Sequence, residues 1–119
     1  MSRPIKLPKQ IQVGARVYRI QDLRDYAHEE NYGDSDHEKQ LIRLYQLDDE
    51  NPQIERQELD TLLHEIGHAG CSSYASQMSF QKEEEMVNLF ARIYADVYIN
   101  NPDMLRYLNE ACRRIRRKK

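Results

Sequence analysis

His64 and His68 stand four residues apart with Glu65 between them, in the run His64-Glu65-Ile66-Gly67-His68. On an α-helix this spacing stacks the two imidazoles one turn apart on one side. Neutral imidazole ligates zinc at about 2.0 to 2.1 Å, so two on one face can converge on a single ion. Glu65, about 100° further round the helix, can reach a water beside that ion. The spacing therefore predicts a Zn2+ site held by His64 and His68, with Glu65 as the general base of a hydrolase. The bland alternative is a chance pentapeptide on a solvated helix face.

The element that must carry these residues is a helix from Pro52, with Asn51 as N-cap and proline at a position where its missing N–H costs nothing. Leu59, Leu62, Leu63 and Ile66 recur at helical spacing, and their mean direction is nearly opposite to that of the histidines. The apolar stripe thus faces a core. The second face offers Thr61, His64, His68 and Cys71 beside Gly67, which predicts a covered cleft. A catalytic zinc keeps three protein ligands and an open fourth position. Downstream, Glu83, Glu84 and Glu85 head a second helix predicted over residues 82–100. Val87, Ala91, Tyr94 and Tyr98 follow Glu84 at helical spacing, which places Glu84 in line with the buried face and makes it the third ligand. Glu83, sharing a face with Val87 and Phe90, is the next choice. Cys71, three residues past His68, is an alternative ligand. The triplet also suits the positive end of the helix dipole without any metal.

The run Leu62-Leu63-His64-Glu65-Ile66-Gly67-His68, followed by Glu84-Glu85-Met86-Val87-Asn88-Leu89-Phe90-Ala91, resembles the ImmA/IrrE-like metallopeptidases of phages and mobile elements. It is more similar still to the short phage-encoded zincin-like members of that group. The likeness spans about Gly33 to Leu105. It implies His64, His68 and Glu84 as zinc ligands, Glu65 as the catalytic carboxylate, and a zincin-like fold with a strand bordering the cleft. A peptide or protein substrate is implied too, lying along the strand edge near Leu41 to Leu44 by β-augmentation.

The remaining elements read as α+β. Ile11-Gln12-Val13 and Val17-Tyr18-Arg19-Ile20 alternate about Gly14-Ala15-Arg16 and predict short antiparallel strands. A short helix is expected over 22–27, a turn at Gly33-Asp34-Ser35-Asp36, and a strand over 37–44. Asn101-Pro102 ends the second long helix and caps a C-terminal one carrying Leu105, Leu108, Cys112 and Ile115. The domain reading is a flexible arm over 1–9, a single domain over 10–112 and a basic tail over 113–119. Tyr74 is a candidate oxyanion donor or a packing residue, and His28 and His37 read as surface histidines.

With 39% hydrophobic and 32% charged residues, the 119-residue chain can build one modest core. Two cysteines argue against a secreted disulfide scaffold, and no run approaches the roughly 20 apolar residues of a membrane span, so the default compartment is the cytoplasm. The glycines at 14, 33, 67 and 70 form no phosphate loop. Six of the 18 basic residues lie in the last seven, leaving 12 against 20 acidic residues and a net of −8 for the remainder. That acidic body disfavours nucleic acid as a partner, and the tail reads first as a solvated helix end. The oligomeric state is not legible. The rival to a hydrolase is a zinc-stabilised module that binds a protein or nucleic acid without cleaving anything.

Overall fold

The computed structural model describes residues 4–26, 31–47, 52–74 and 83–118, with the backbone alone at 83–85, 87 and 88. It is a small α+β structure of one four-stranded sheet and three helices. The strands are β1 (Gln10–Val13), β2 (Arg16–Leu23), β3 (Gly33–Asp36) and β4 (Leu41–Tyr45). The helices are α1 (Ile54–Tyr74), α2 (Glu83–Asn100) and α3 (Pro102–Arg117).

Strand order is β1-β2-β4-β3, and the sheet is mixed. The antiparallel expectation holds for β1 with β2 and for β3 with β4, whereas β2 and β4 run parallel. The chain leaves β2, travels to the far edge as β3, and turns back as β4 into the space between them. One sheet face buries Ile11, Val13, Tyr18, Ile42 and Leu44, and the helices cover it. Alternation places Val17 on the other face, 43% exposed.

The short helix expected from Asp22 is not found over 22–26. Asp22 and Leu23 stay in β2 because Leu44 and Tyr45 offer them a pairing partner, and the Tyr26 N–H donating to the Leu23 carbonyl closes a turn. Ala27 and His28 lie outside the described residues. Gly33-Asp34-Ser35-Asp36, expected as a turn, is strand β3. Its residues have poor strand propensity, but Asp34 accepts from Arg43 Nε at 2.6 Å and from the Tyr45 hydroxyl at 3.1 Å, so cross-strand partners override propensity. The turn falls instead at residues 37–40, with Gln40 at φ 54°, and the strand expected over 37–44 begins at Leu41.

The segment read as a loose arm carries core residues: Ile5 and Leu7 are buried, and the Ile20 N–H donates to the Lys9 carbonyl at 2.9 Å. The basic tail is likewise no separate piece, since α3 continues to Arg117 and Ile115 packs against the core. Arg113 and Arg114 pair with Glu110, and Lys118 reaches Glu55 of α1 at 2.5 Å. Burial pushes the Glu55 carboxyl up, but Lys118, a backbone bond and Arg114 together hold it below its ordinary range. Asn101 sits at the N-cap of α3 without capping it. Its buried side chain accepts from Gln12 N at 2.8 Å and donates to Gln12 O and Val97 O, clamping β1 to α2.

Helices α1 and α2 both end at the β1–β2 hairpin. The Ser73 hydroxyl donates to Val13 O, while Asp96 accepts from Gly14 N at 2.8 Å and from the Tyr74 hydroxyl at 3.1 Å. The two helices pack closely at Gly70, where an added Cβ would lie 2.5 to 2.7 Å from three side-chain atoms of Ile93. Gly70→Ala should gain about 1 kcal/mol of helix propensity. It should lose more by overpacking, typically 1 to 3 kcal/mol, because the β-branched Ile93 is stiff and fully buried. A lower urea midpoint at unchanged slope is the expected result, and a midpoint at or above the parent's would show that Ile93 yields freely.

Candidate metal centre

Along α1 the predicted stripe is buried through Leu59, Leu62 and Ile66, with Leu63 half-buried against the core. His64 and His68 are exposed, so the histidine face is open rather than covered among the described residues. Their Nε2 atoms lie 3.0 Å apart and the rings meet edge to face. Two nitrogens on one tetrahedral ion, each at about 2.0 to 2.1 Å, stand roughly 3.3 Å apart. The imidazole pair therefore fits two ligands of one ion with a few tenths of an ångström of adjustment. The same separation also suits a hydrogen bond between one protonated and one bare nitrogen.

Glu65 points the other way from the solvent: it is 6% exposed, and its Oε1 accepts from the Ser35 hydroxyl of β3 at 3.0 Å. Among the described residues its second oxygen accepts no hydrogen bond. Ser35 was not a sequence candidate. Only the pairing of β3 with β4 brings Ser35 to the inner face, beside Ile42, and a polar tetrapeptide gives no signal of that.

Gly67 has its own role. The Tyr94 hydroxyl donates to the Leu63 carbonyl at 2.7 Å, and a Cβ on Gly67 would lie 3.3 Å from that oxygen. The missing side chain gives Tyr94 its path to α1. Burial, with Tyr98 and Cys71 nearby, raises the Tyr94 pKa and keeps the phenol a donor.

Glu84, Glu83 and Glu85 belong to the first turn of α2, and their side chains lie outside the described residues. Among the described residues no three His, Cys, Asp or Glu side chains gather where they could hold a metal ion. Cys71 therefore does not complete a site with His64 and His68: it is a half-buried free thiol packed against the core. Tyr74 is no oxyanion donor here, because its hydroxyl is committed to Asp96 at the hairpin. The strand edge foreseen at Leu41 to Leu44 is not free either, since β4 is paired on both sides. On this side of the sheet the outer edge belongs to β3, the strand that carries Ser35. A groove of about 590 Å3 between the Pro4–Lys9 segment and α3 is lined by none of the site residues. No described helix is long and apolar enough to cross a membrane.

Comparison with protein-family models, with curated proteins and with solved structures finds no match to this chain.

Proposed function

We propose that this chain is a small zincin-like, zinc-dependent metallopeptidase of the phage and mobile-element kind, in which His64, His68 and Glu84 hold Zn2+ and Glu65 moves the proton. The observation that carries the reading is the pair of Nε2 atoms 3.0 Å apart on α1, with the intervening Glu65 held by the Ser35 hydroxyl. A purely structural zinc site has no use for a carboxylate placed between its histidines.

What supports Glu84 as the third ligand is helical spacing: it stands in line with Val87, Ala91, Tyr94 and Tyr98 on α2. That helix packs against α1 where Gly70 meets Ile93 and where the Tyr94 hydroxyl reaches Leu63.

Zinc, if held by His64, His68 and Glu84, would polarise the substrate carbonyl and acidify a water. Glu65 would take the proton of the attacking water as its oxygen bonds to the peptide carbonyl carbon, and would return that proton to the amine nitrogen as the C–N bond breaks. Ser35 fixes the rotamer that makes this transfer short. The substrate peptide runs along β3, whose outer edge offers backbone groups for β-augmentation.

Zinc-saturated protein should cleave fluorescently labelled casein, lose that cleavage on chelation, and regain it when zinc is returned. Intact casein and an intact proteome-derived peptide library after prolonged incubation with the zinc-saturated chain would sink the reading.

A further inference from the structure

The turn after β3 opens with a third histidine, His37. Tyr18 is fully buried, and its hydroxyl lies 2.9 Å from His37 Nδ1, with the two rings edge to face at 5.9 Å. Among the described residues this phenol makes no other hydrogen bond. A hydroxyl sealed from water must spend its proton on an acceptor, so the bond runs from Tyr18 O–H to a bare Nδ1. The proton of the neutral ring then sits on Nε2, the nitrogen turned away from Tyr18.

Where that nitrogen stands follows from a ladder of contacts between β3 and α1. Gly33 approaches Thr61 so closely that an added Cβ would fall 2.7 Å from the Thr61 methyl, and Ser35 donates to Glu65 at 3.0 Å. Two residues of strand advance about 6.6 Å and four residues of helix about 6.0 Å. The steps match along β3, and His37, the first residue of the turn that follows, continues in the direction of His68 and Ala69. The sheet agrees: Ser35 pairs with Ile42 and Ile42 with Ile20, and Tyr18, two residues before Ile20 on the same face, reaches His37. Still further on, Arg16 meets Ser72 at 3.0 Å. Ala69 is fully buried, whereas His68 turns to the open side of α1 and His37 is half-buried at the rim. Among the described residues His37 does not gather with His64 and His68 into a trio that could hold a metal ion.

We propose that His37 is a second hydrogen-bond donor of the site, its Nε2–H directed at the carbonyl oxygen of a peptide bond lying between β3 and His68, with the buried Tyr18 hydroxyl as the positioning group that fixes its tautomer. The inference rests on the hydrolytic reading and assigns it a residue that the His64/Glu65/His68 pattern does not contain. A donor aimed at the developing oxyanion acts on the transition state more than on the bound substrate, so its removal lowers kcat and leaves KM nearly unchanged.

The test uses zinc-saturated full-length protein and labelled casein. His37→Ala should cut kcat by about 10²- to 10³-fold with zinc content and KM close to the parent's. His37→Gln, whose amide NH2 reaches near the position of Nε2, should recover part of that loss. Tyr18→Phe should reduce kcat less, and in long-range proton–nitrogen NMR it should move His37 away from a pure Nε2–H tautomer. That spectrum needs no turnover. An Nδ1–H tautomer in the parent would overturn the proposal whatever the activity. Parent cleavage matched by His37→Ala would overturn it while leaving the hydrolytic reading intact, and a parent that cleaves nothing would remove both.

Discussion

Glu65→Gln is expected to abolish peptide hydrolysis while leaving the fold and the zinc content of the protein unchanged. The amide matches the carboxylate in size and shape, and its carbonyl oxygen can still accept from the Ser35 hydroxyl that Glu65 Oε1 accepts at 3.0 Å. What it cannot do is take a proton at neutral pH. A general base contributes about 10² to 10⁴ in rate, so the residual turnover should fall by that factor. The burial of Glu65, 6% exposed, makes the choice of glutamine important, because alanine would add a cavity and an unpaired serine to the comparison. Retained turnover on any substrate the parent cleaves would rule out the proton-transfer role. Loss of zinc in Glu65→Gln would instead assign the carboxylate to holding the metal site together.

Ser35 offers a control on the same carboxylate. Its hydroxyl is the one described partner of Glu65, so the tether fixes where the base stands without touching the reacting atoms. That division, a base on α1 and its anchor on β3, could not be read along the chain. The helices could, because their signals are local: Leu59, Leu62 and Ile66 at helical spacing fix which side of α1 is buried, and Asn101-Pro102 marks the break between α2 and α3. The β1–β2 hairpin is legible for the same reason, through alternation about Gly14. The failures are all non-local. Gly33-Asp34-Ser35-Asp36 becomes a strand only because Arg43 and Tyr45 on β4 supply partners for Asp34, and its Ser35 lies thirty residues before the Glu65 it holds. Asp22 and Leu23 stay extended because Leu44 and Tyr45 arrive beside them. Asn101 looks like an ordinary cap until Gln12, far away in sequence, takes its side chain. In each case a weak local preference yields to a partner that the fold delivers. The exposed histidine pair is legible as chemistry because its spacing alone nearly determines its geometry.

That geometry makes zinc the second decisive measurement. The native chain is expected to bind about one zinc, and a His64→Ala/His68→Ala double variant is expected to bind none at the same free zinc concentration. Both imidazoles are exposed and alanine is the best helix former, so the metal-free double variant should match the parent in stability within about 0.5 kcal/mol. Any difference between the two proteins that appears only when zinc is added therefore belongs to the site. Zinc at about 100 times its dissociation constant should raise the parent's unfolding free energy by about 2.7 kcal/mol, because binding to the folded state alone pulls the equilibrium. The double variant should show no rise. Single replacements then locate the third ligand: Glu84→Ala should weaken zinc binding strongly and Glu83→Ala little, and the reverse order would hand the position to Glu83. Cys71→Ala should leave affinity untouched, since its thiol packs against the core and forms no metal-holding group with the histidines among the described residues. Full zinc occupancy in the double variant would defeat the assignment outright, because the two nitrogens 3.0 Å apart are the part of the site on which every other step depends.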